Sequence, residues 1–173
     1  PGREEFGGIV TNLTAELSRT GVEVITGTLM TADDIRALGP DAVIIATGAV
    51  PYVPTFDGHD EAHVVTAWQV LSGEANVGQT VVIADWRADW VGIGLAEQLA
   101  RAGSVVTLCT NAAMAGETLQ LYTRNHYVGR LHKLGVTIQT HARLFGVDGD
   151  TAYFQDTLTQ EAIVLDGIDT VVL

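Results

Sequence analysis

The sequence predicts an α/β fold, a parallel sheet with helical crossovers in which a small antiparallel meander replaces one helix. Three observations lead there. Thr80 to Ala84 and Val105 to Cys109 are short apolar runs of the kind needed by strands buried on both faces, and residues 91 to 102 between them read as a helix closed by Gly103. Beyond Val136 to Gln139 the texture changes to short stretches separated by Asp148-Gly149-Asp150 and Asp166-Gly167, which are turn sequences for antiparallel strands. The last run, Thr170 to Leu173, is apolar again and is expected to return to the parallel sheet.

The elements follow in order. After Pro1-Gly2, the spacing of Phe6, Ile9, Val10, Leu13 and Leu17 predicts an amphipathic helix over residues 4 to 20, with Gly21 as its stop. Val22 to Ile25 reads as a short strand. Thr31 with Asp33 and Asp34 starts a short helix that ends near Gly39, because threonine caps helix N–H groups and acidic residues suit the first turn. Val43 to Ala46 reads as a buried strand ending at Thr47-Gly48. Residues 50 to 60 hold Pro51, Pro54 and Gly58 without a period and are expected to connect two units. Thr66 and Gln69 form a capping-box pair, opening a helix that stops near Gly73. A further helix over residues 117 to 134 is closed by Gly135.

Composition narrows the function classes. The 173 residues are 47% apolar, enough for a packed core, and 9 basic against 21 acidic residues give a formal net charge of -12. That charge repels nucleic acid and anionic membrane surfaces, so neither is an expected partner. No apolar run reaches the roughly 18 residues of a membrane span, and no signal peptide opens the chain, so a cytoplasmic protein is expected. The single Cys109 lies in an apolar run and reads as a buried strand residue. Pro1 in place of an initiator methionine, and an apolar strand as the last element, lead us to expect a fragment of a longer chain.

Four segments carry a family resemblance. Pro1-Gly-Arg-Glu-Glu-Phe6, Asp41-Ala-Val-Ile-Ile-Ala-Thr-Gly48, His63-Val-Val-Thr-Ala-Trp68 and Leu95-Ala-Glu-Gln-Leu-Ala100, in this order, resemble the C-terminal half of the NADH:flavin oxidoreductase group. Within it the likeness runs to trimethylamine and histamine dehydrogenases and N-demethylases, and more distantly to 2,4-dienoyl-CoA reductase. The resemblance implies a nested pair of Rossmann-like dinucleotide domains of the flavoprotein type. Residues 1 to 78 would be a partial FAD- or ADP-binding-like domain with its connector, and residues 79 to 173 an inserted NAD(P)-binding-like domain. It further implies an upstream barrel with FMN, a 4Fe-4S cluster, and FAD or ADP in the parent enzyme. This chain itself would carry no catalytic residue, flavin, cluster or metal, and it would self-associate through the surface that the barrel covers.

Two places qualify as cofactor-binding. Thr47 and Gly48 end a strand that the resemblance puts near the FAD or ADP. The second is the loop from Asp85 to Gly92. A dinucleotide fingerprint needs G-x-G-x-x-G after its first strand, because the glycines permit the turn, the approach of the pyrophosphate and close helix packing. Here Asp85 stands in the first glycine's place, Arg87 and Trp90 are bulky, and only Gly92 keeps a fingerprint role, in a loop about two residues too long. Asp85 would oppose a phosphate and Arg87 would offset it, so NAD(P) binding is disfavoured. Gly92-Ile-Gly94 falls within the expected helix and is no displaced fingerprint. Trp86 and Trp90 are expected to pack against the upstream barrel rather than to stack on a base. His59, with Asp60 after it and His63 beyond, departs from the zinc pattern, His126 and His132 do not share a helix face, and His141 has no evident partner.

Three readings stand at this point: a region of an iron-sulfur amine dehydrogenase or demethylase, a region of an NAD(P)H-dependent flavin reductase, and a non-catalytic docking module for an electron-transfer protein. The missing glycines count against the second.

Overall fold

A computed structural model of the chain describes residues 4–173. Pro1, Gly2 and Arg3, which open the first resembling segment, lie outside the described residues. The chain forms two compact units, one up to Val50 and one from Pro51 to Leu173.

In the first unit a short 3-10 turn, Glu4–Phe6, runs into α1 (Gly7–Arg19), which ends as Thr20 donates its N–H to the Glu16 carbonyl and Gly21 takes φ +71°. Helix α2 (Ala32–Leu38) has the threonine cap expected of it, and the cap is reciprocal. The Thr31 hydroxyl accepts from Asp34 N, the Asp34 carboxylate accepts from Thr31 N, and Gly39 closes the helix in the left-handed region. The strands expected at Val22 to Ile25 and Val43 to Ala46 are absent: neither segment is regular, and both are exposed. The reason is physical. A strand is made by its neighbour's hydrogen bonds, and no strand of either sheet lies among the described residues of this unit.

The second unit has the predicted α/β character. Strands β1 (Val64–Val65), β2 (Thr80–Asp85), β3 (Val105–Thr110), β4 (Thr137–Gln139) and β8 (Thr170–Val172) form a parallel sheet in the order β1-β8-β2-β3-β4. Helices α3 (Ala67–Ser72), α4 (Trp90–Ala102) and α5 (Leu121–Lys133) complete it, and β5 (Ala142–Asp148), β6 (Thr151–Asp156) and β7 (Ala162–Leu165) form an antiparallel three-stranded sheet. The chain thus leaves the sheet at the β4 edge, runs through the meander and returns as β8 between β1 and β2.

Side-chain alternation on β2 divides the core. Val81 and Ile83 face a cluster with Ile93, Leu95 and Leu99 of α4 and Leu131 of α5. Val82 and Ala84 face a second cluster built with Leu144, Ala152 and Phe154 of the meander. A sheet covered on both faces explains the unbroken apolar run that marked these strands in the sequence.

Three boundaries differ from expectation. Val64–Val65, read only as part of the motif His63 to Trp68, is an edge strand, paired in register with Val171 and Val172. Helix α5 starts at Leu121 rather than near 117, because Gly116 to Leu119 is spent on a turn: Leu119 N bonds to Gly116 O and Thr118 is drawn to Ala88. Strand β2 runs on to Asp85, paired opposite Thr110. Among the described residues no helix is long and apolar enough to cross a membrane.

Candidate functional site

In a parallel α/β sheet, ligands bind beyond the carboxyl ends of the strands, so the loop leaving β2 is the place to look. Local chemistry builds it. Asp85 is the last residue of β2 and is only 8% exposed. Its Oδ1 accepts from Arg87 N at 3.1 Å and from Ala88 N at 2.9 Å, which folds the chain back at once. Ala88 takes φ +50°, a conformation unusual for a residue with a side chain. It is secured from outside, since its carbonyl accepts from Thr118 N at 3.2 Å and Thr118 Oγ1 at 3.0 Å. Asp89 caps α4 through Oδ1, which accepts from Val91 N at 2.9 Å.

The electrostatics follow the geometry. Burial raises the Asp85 carboxyl above the usual carboxylate value, against the lowering effect of the Ala88 and Arg87 N–H bonds. Its second oxygen, Oδ2, is buried without a hydrogen-bond partner. The expected offset by Arg87 takes another form: the guanidinium is largely exposed and pairs with Asp89 Oδ2 at 2.8 Å.

Gly92 serves close packing, as its place in the fingerprint suggested, but the group packed against it is the Asp85 carboxyl. A Cβ at position 92 would lie 2.5 Å from Oδ2 and 2.6 Å from Cγ of Asp85. Helix propensity alone would favour alanine there by up to about 1 kcal/mol. The clash is expected to win, so Gly92→Ala should lose roughly 1–3 kcal/mol in urea unfolding. In an Asp85→Gly background most of that loss should vanish; an unchanged loss would show that the carboxyl is not what the glycine accommodates.

The other candidates fall elsewhere. Thr47 and Gly48 belong to the first unit and are exposed, with Gly48 at φ +75°. Gly94 lies inside α4, as expected. Trp86 packs against the meander-side cluster, and Trp90 sets its ring edge to face with Tyr127 at 5.2 Å. Cys109 is fully buried, and burial pushes its thiol up to about 12, far from a reactive thiolate. His59 lies beside Phe56 and 3.4 Å from Asp60, while His63 Nε2 sits 2.8 Å from the Asn76 carbonyl. Among the described residues no three His, Cys, Asp or Glu side chains come together as metal ligands. An open groove of about 880 Å³ runs beside α3, between Val53, Trp68, Leu71 and Leu173. Its walls are mainly apolar and do not include Asp85 or Gly92, so the chemistry stays with the loop.

Sequence reading missed Asp89 and Thr118. An acidic residue directly before an apolar helix run is a cap signal that points to Asp89. Nothing local marks Thr118, whose partner lies thirty residues away.

The first two free N–H groups of this loop, those of Arg87 and Ala88, thus both serve the Asp85 carboxyl. The family profile described as pyridine nucleotide-disulphide oxidoreductase matches residues 4–172. The chain is 34% identical to the N,N-dimethylglycine/sarcosine dehydrogenase of Chromohalobacter salexigens over 139 residues, 73% of this chain and 20% of that protein. It is 32% identical to the NADH oxidase of Thermoanaerobacter brockii over 142 residues, 81% of this chain and 22% of that one. Among solved structures, histamine dehydrogenase from Rhizobium sp. 4-9 superimposes with a TM-score of 0.88 at 24% identity, over 99% of this chain and 28% of that one. The chain therefore spans about a fifth of the length of the curated relatives it matches.

Proposed function

From the premise that the chain belongs to the pyridine nucleotide-disulphide oxidoreductase family, we propose that it is the nucleotide-fold region of a flavin-dependent amine dehydrogenase or N-demethylase. In that enzyme the chain positions and supports redox centres held elsewhere: FMN and a 4Fe-4S cluster in an upstream barrel, and FAD or ADP near Thr47 and Gly48. By itself it holds no flavin and oxidises no amine. Electrons leave for a protein acceptor rather than arriving from a nicotinamide cofactor. The enzyme works in the cytoplasm, and this region alone self-associates through apolar surface, since contiguous exposed patches promote association. Leu29, Ile44 and Ile45 are among the exposed apolar side chains.

The observation that carries the reading is the Asp85 carboxyl on the Arg87 and Ala88 amides. A family likeness alone would serve equally well for an NADH-consuming relative, and one such relative matches at similar identity. What supports the first reading over the second is the loop, because a nicotinamide dinucleotide would draw on such amides for its pyrophosphate. Calorimetric titration with NADH and NADPH is expected to show no saturable binding in the micromolar range. Micromolar affinity for either cofactor, lost on Gly92→Ala, would instead favour the flavin reductase reading.

A further inference from the structure

In a dinucleotide-binding unit the first amides beyond the strand face an anion, and that anion is a phosphate of the ligand. Here the Arg87 and Ala88 amides already face one, the carboxyl of Asp85. Three further observations indicate that it is seated there rather than passing. The residue is only 8% exposed. Its Oδ2, without a partner, lies against the bare Cα of Gly92, where any Cβ would collide with it. The loop behind it is fixed by the two Thr118 bonds to the Ala88 carbonyl, so Asp85 cannot leave without undoing the turn it closes. Asp89 does the same one step along, taking the Val91 N–H and holding Arg87 beside it.

We propose that Asp85 is a built-in anion, occupying with its carboxyl the seat that a phosphate or pyrophosphate group takes on the loop amides between β2 and α4, so that occupancy closes the loop. The inference rests on the reading that this unit uses no nicotinamide cofactor, and it supplies the cause. It also reassigns Gly92: the glycine makes room for a side chain of the same protein, in a position where the fingerprint makes room for close packing around a ligand site. Charge repulsion alone would act with any nearby acid. Occupancy depends on the two N–H bonds, and an isosteric neutral side chain can keep them.

That difference sets the test. Inorganic pyrophosphate is titrated calorimetrically into the wild-type chain, Asp85→Gly and Asp85→Asn, with thermal unfolding recorded for each. Asp85→Gly frees both amides and should bind pyrophosphate at least about tenfold more tightly than wild type, the equivalent of one charge-assisted hydrogen bond. Asp85→Asn keeps an acceptor on the amides and should gain little. Equal gains in both variants would assign the closure to charge and overturn the proposal. So would no gain in a cooperatively folded Asp85→Gly. Should Asp85→Gly not fold, hydrogen exchange on the wild-type chain decides: the Arg87 and Ala88 amide protons should be strongly protected and unmoved by pyrophosphate. Exchange at the unprotected rate, or a shift on adding pyrophosphate, would overturn it. A wild type silent toward NADH with no gain in the glycine variant sinks this inference alone, whereas micromolar NADH binding by wild type sinks the function proposed above.

Discussion

Replacing both Arg101 and Arg130 by alanine is expected to lower the unfolding free energy by about 3–5 kcal/mol, the cost of leaving a buried charge unpaired. The charge is Glu97 on α4, 3% exposed. Its Oε1 accepts from Arg101 Nε at 2.8 Å within the same helix, and from the Arg130 guanidinium on α5. The arginines are partly exposed and can rehydrate, whereas the carboxylate cannot, so the loss should come from their removal. Adding Glu97→Leu to the double variant should restore most of the stability, because an apolar side chain suits the buried position once no cation needs it. Urea unfolding of the three proteins reads this directly. A triple variant no more stable than the double would mean that the arginines act through packing, for instance through Arg130 over the Tyr127 ring, rather than by neutralising Glu97.

Phe154→Ala is expected to cost about 3–5 kcal/mol, the range for truncating a fully buried aromatic side chain. Phe154 lies on β6 with no exposure, in the cluster where the meander meets Val82, Ala84 and Val171 of the parallel sheet. The matching change at Phe145, exposed on β5, should stay within about 0.5–1 kcal/mol, because little apolar surface is removed from the core. Comparable losses at the two positions would mean that the meander does not pack on the sheet as described. Hydrogen exchange should add detail: Phe154→Ala is expected to loosen the amides of β5, β6 and β7 before those of β2 and β3, since its cavity opens on the meander side.

Local chemistry made part of this structure legible. The Thr31 and Thr66 caps form as read, because each joins groups three residues apart and needs nothing beyond its own turn. The β2, α4, β3 unit and the meander were legible for a related reason: buried strands, an amphipathic helix and tight turns each leave a period or a turn sequence. The degenerate state of the Asp85 loop was equally plain, since the glycines that a fingerprint requires are absent from the letters themselves.

What the sequence determined by itself, then, is the set of helices, caps and turns, the α/β class and a loop short of its glycines; these rest on interactions within a few residues of one another. Only the tertiary structure decided which apolar runs became strands. Val22 to Ile25 and Val43 to Ala46 have the composition but no ladder to join, whereas Val64–Val65 became one by pairing with β8, more than a hundred residues on. It also decided that β8 enters between β1 and β2, that Glu97 meets Arg130, and that Thr118 holds the Ala88 carbonyl. The reason is common to all of these: a strand ladder, an ion pair between two helices and a carbonyl held by a threonine thirty residues away are satisfied by partners that sequence spacing does not specify, and the fold chooses among them by burying each polar group only where another can meet it.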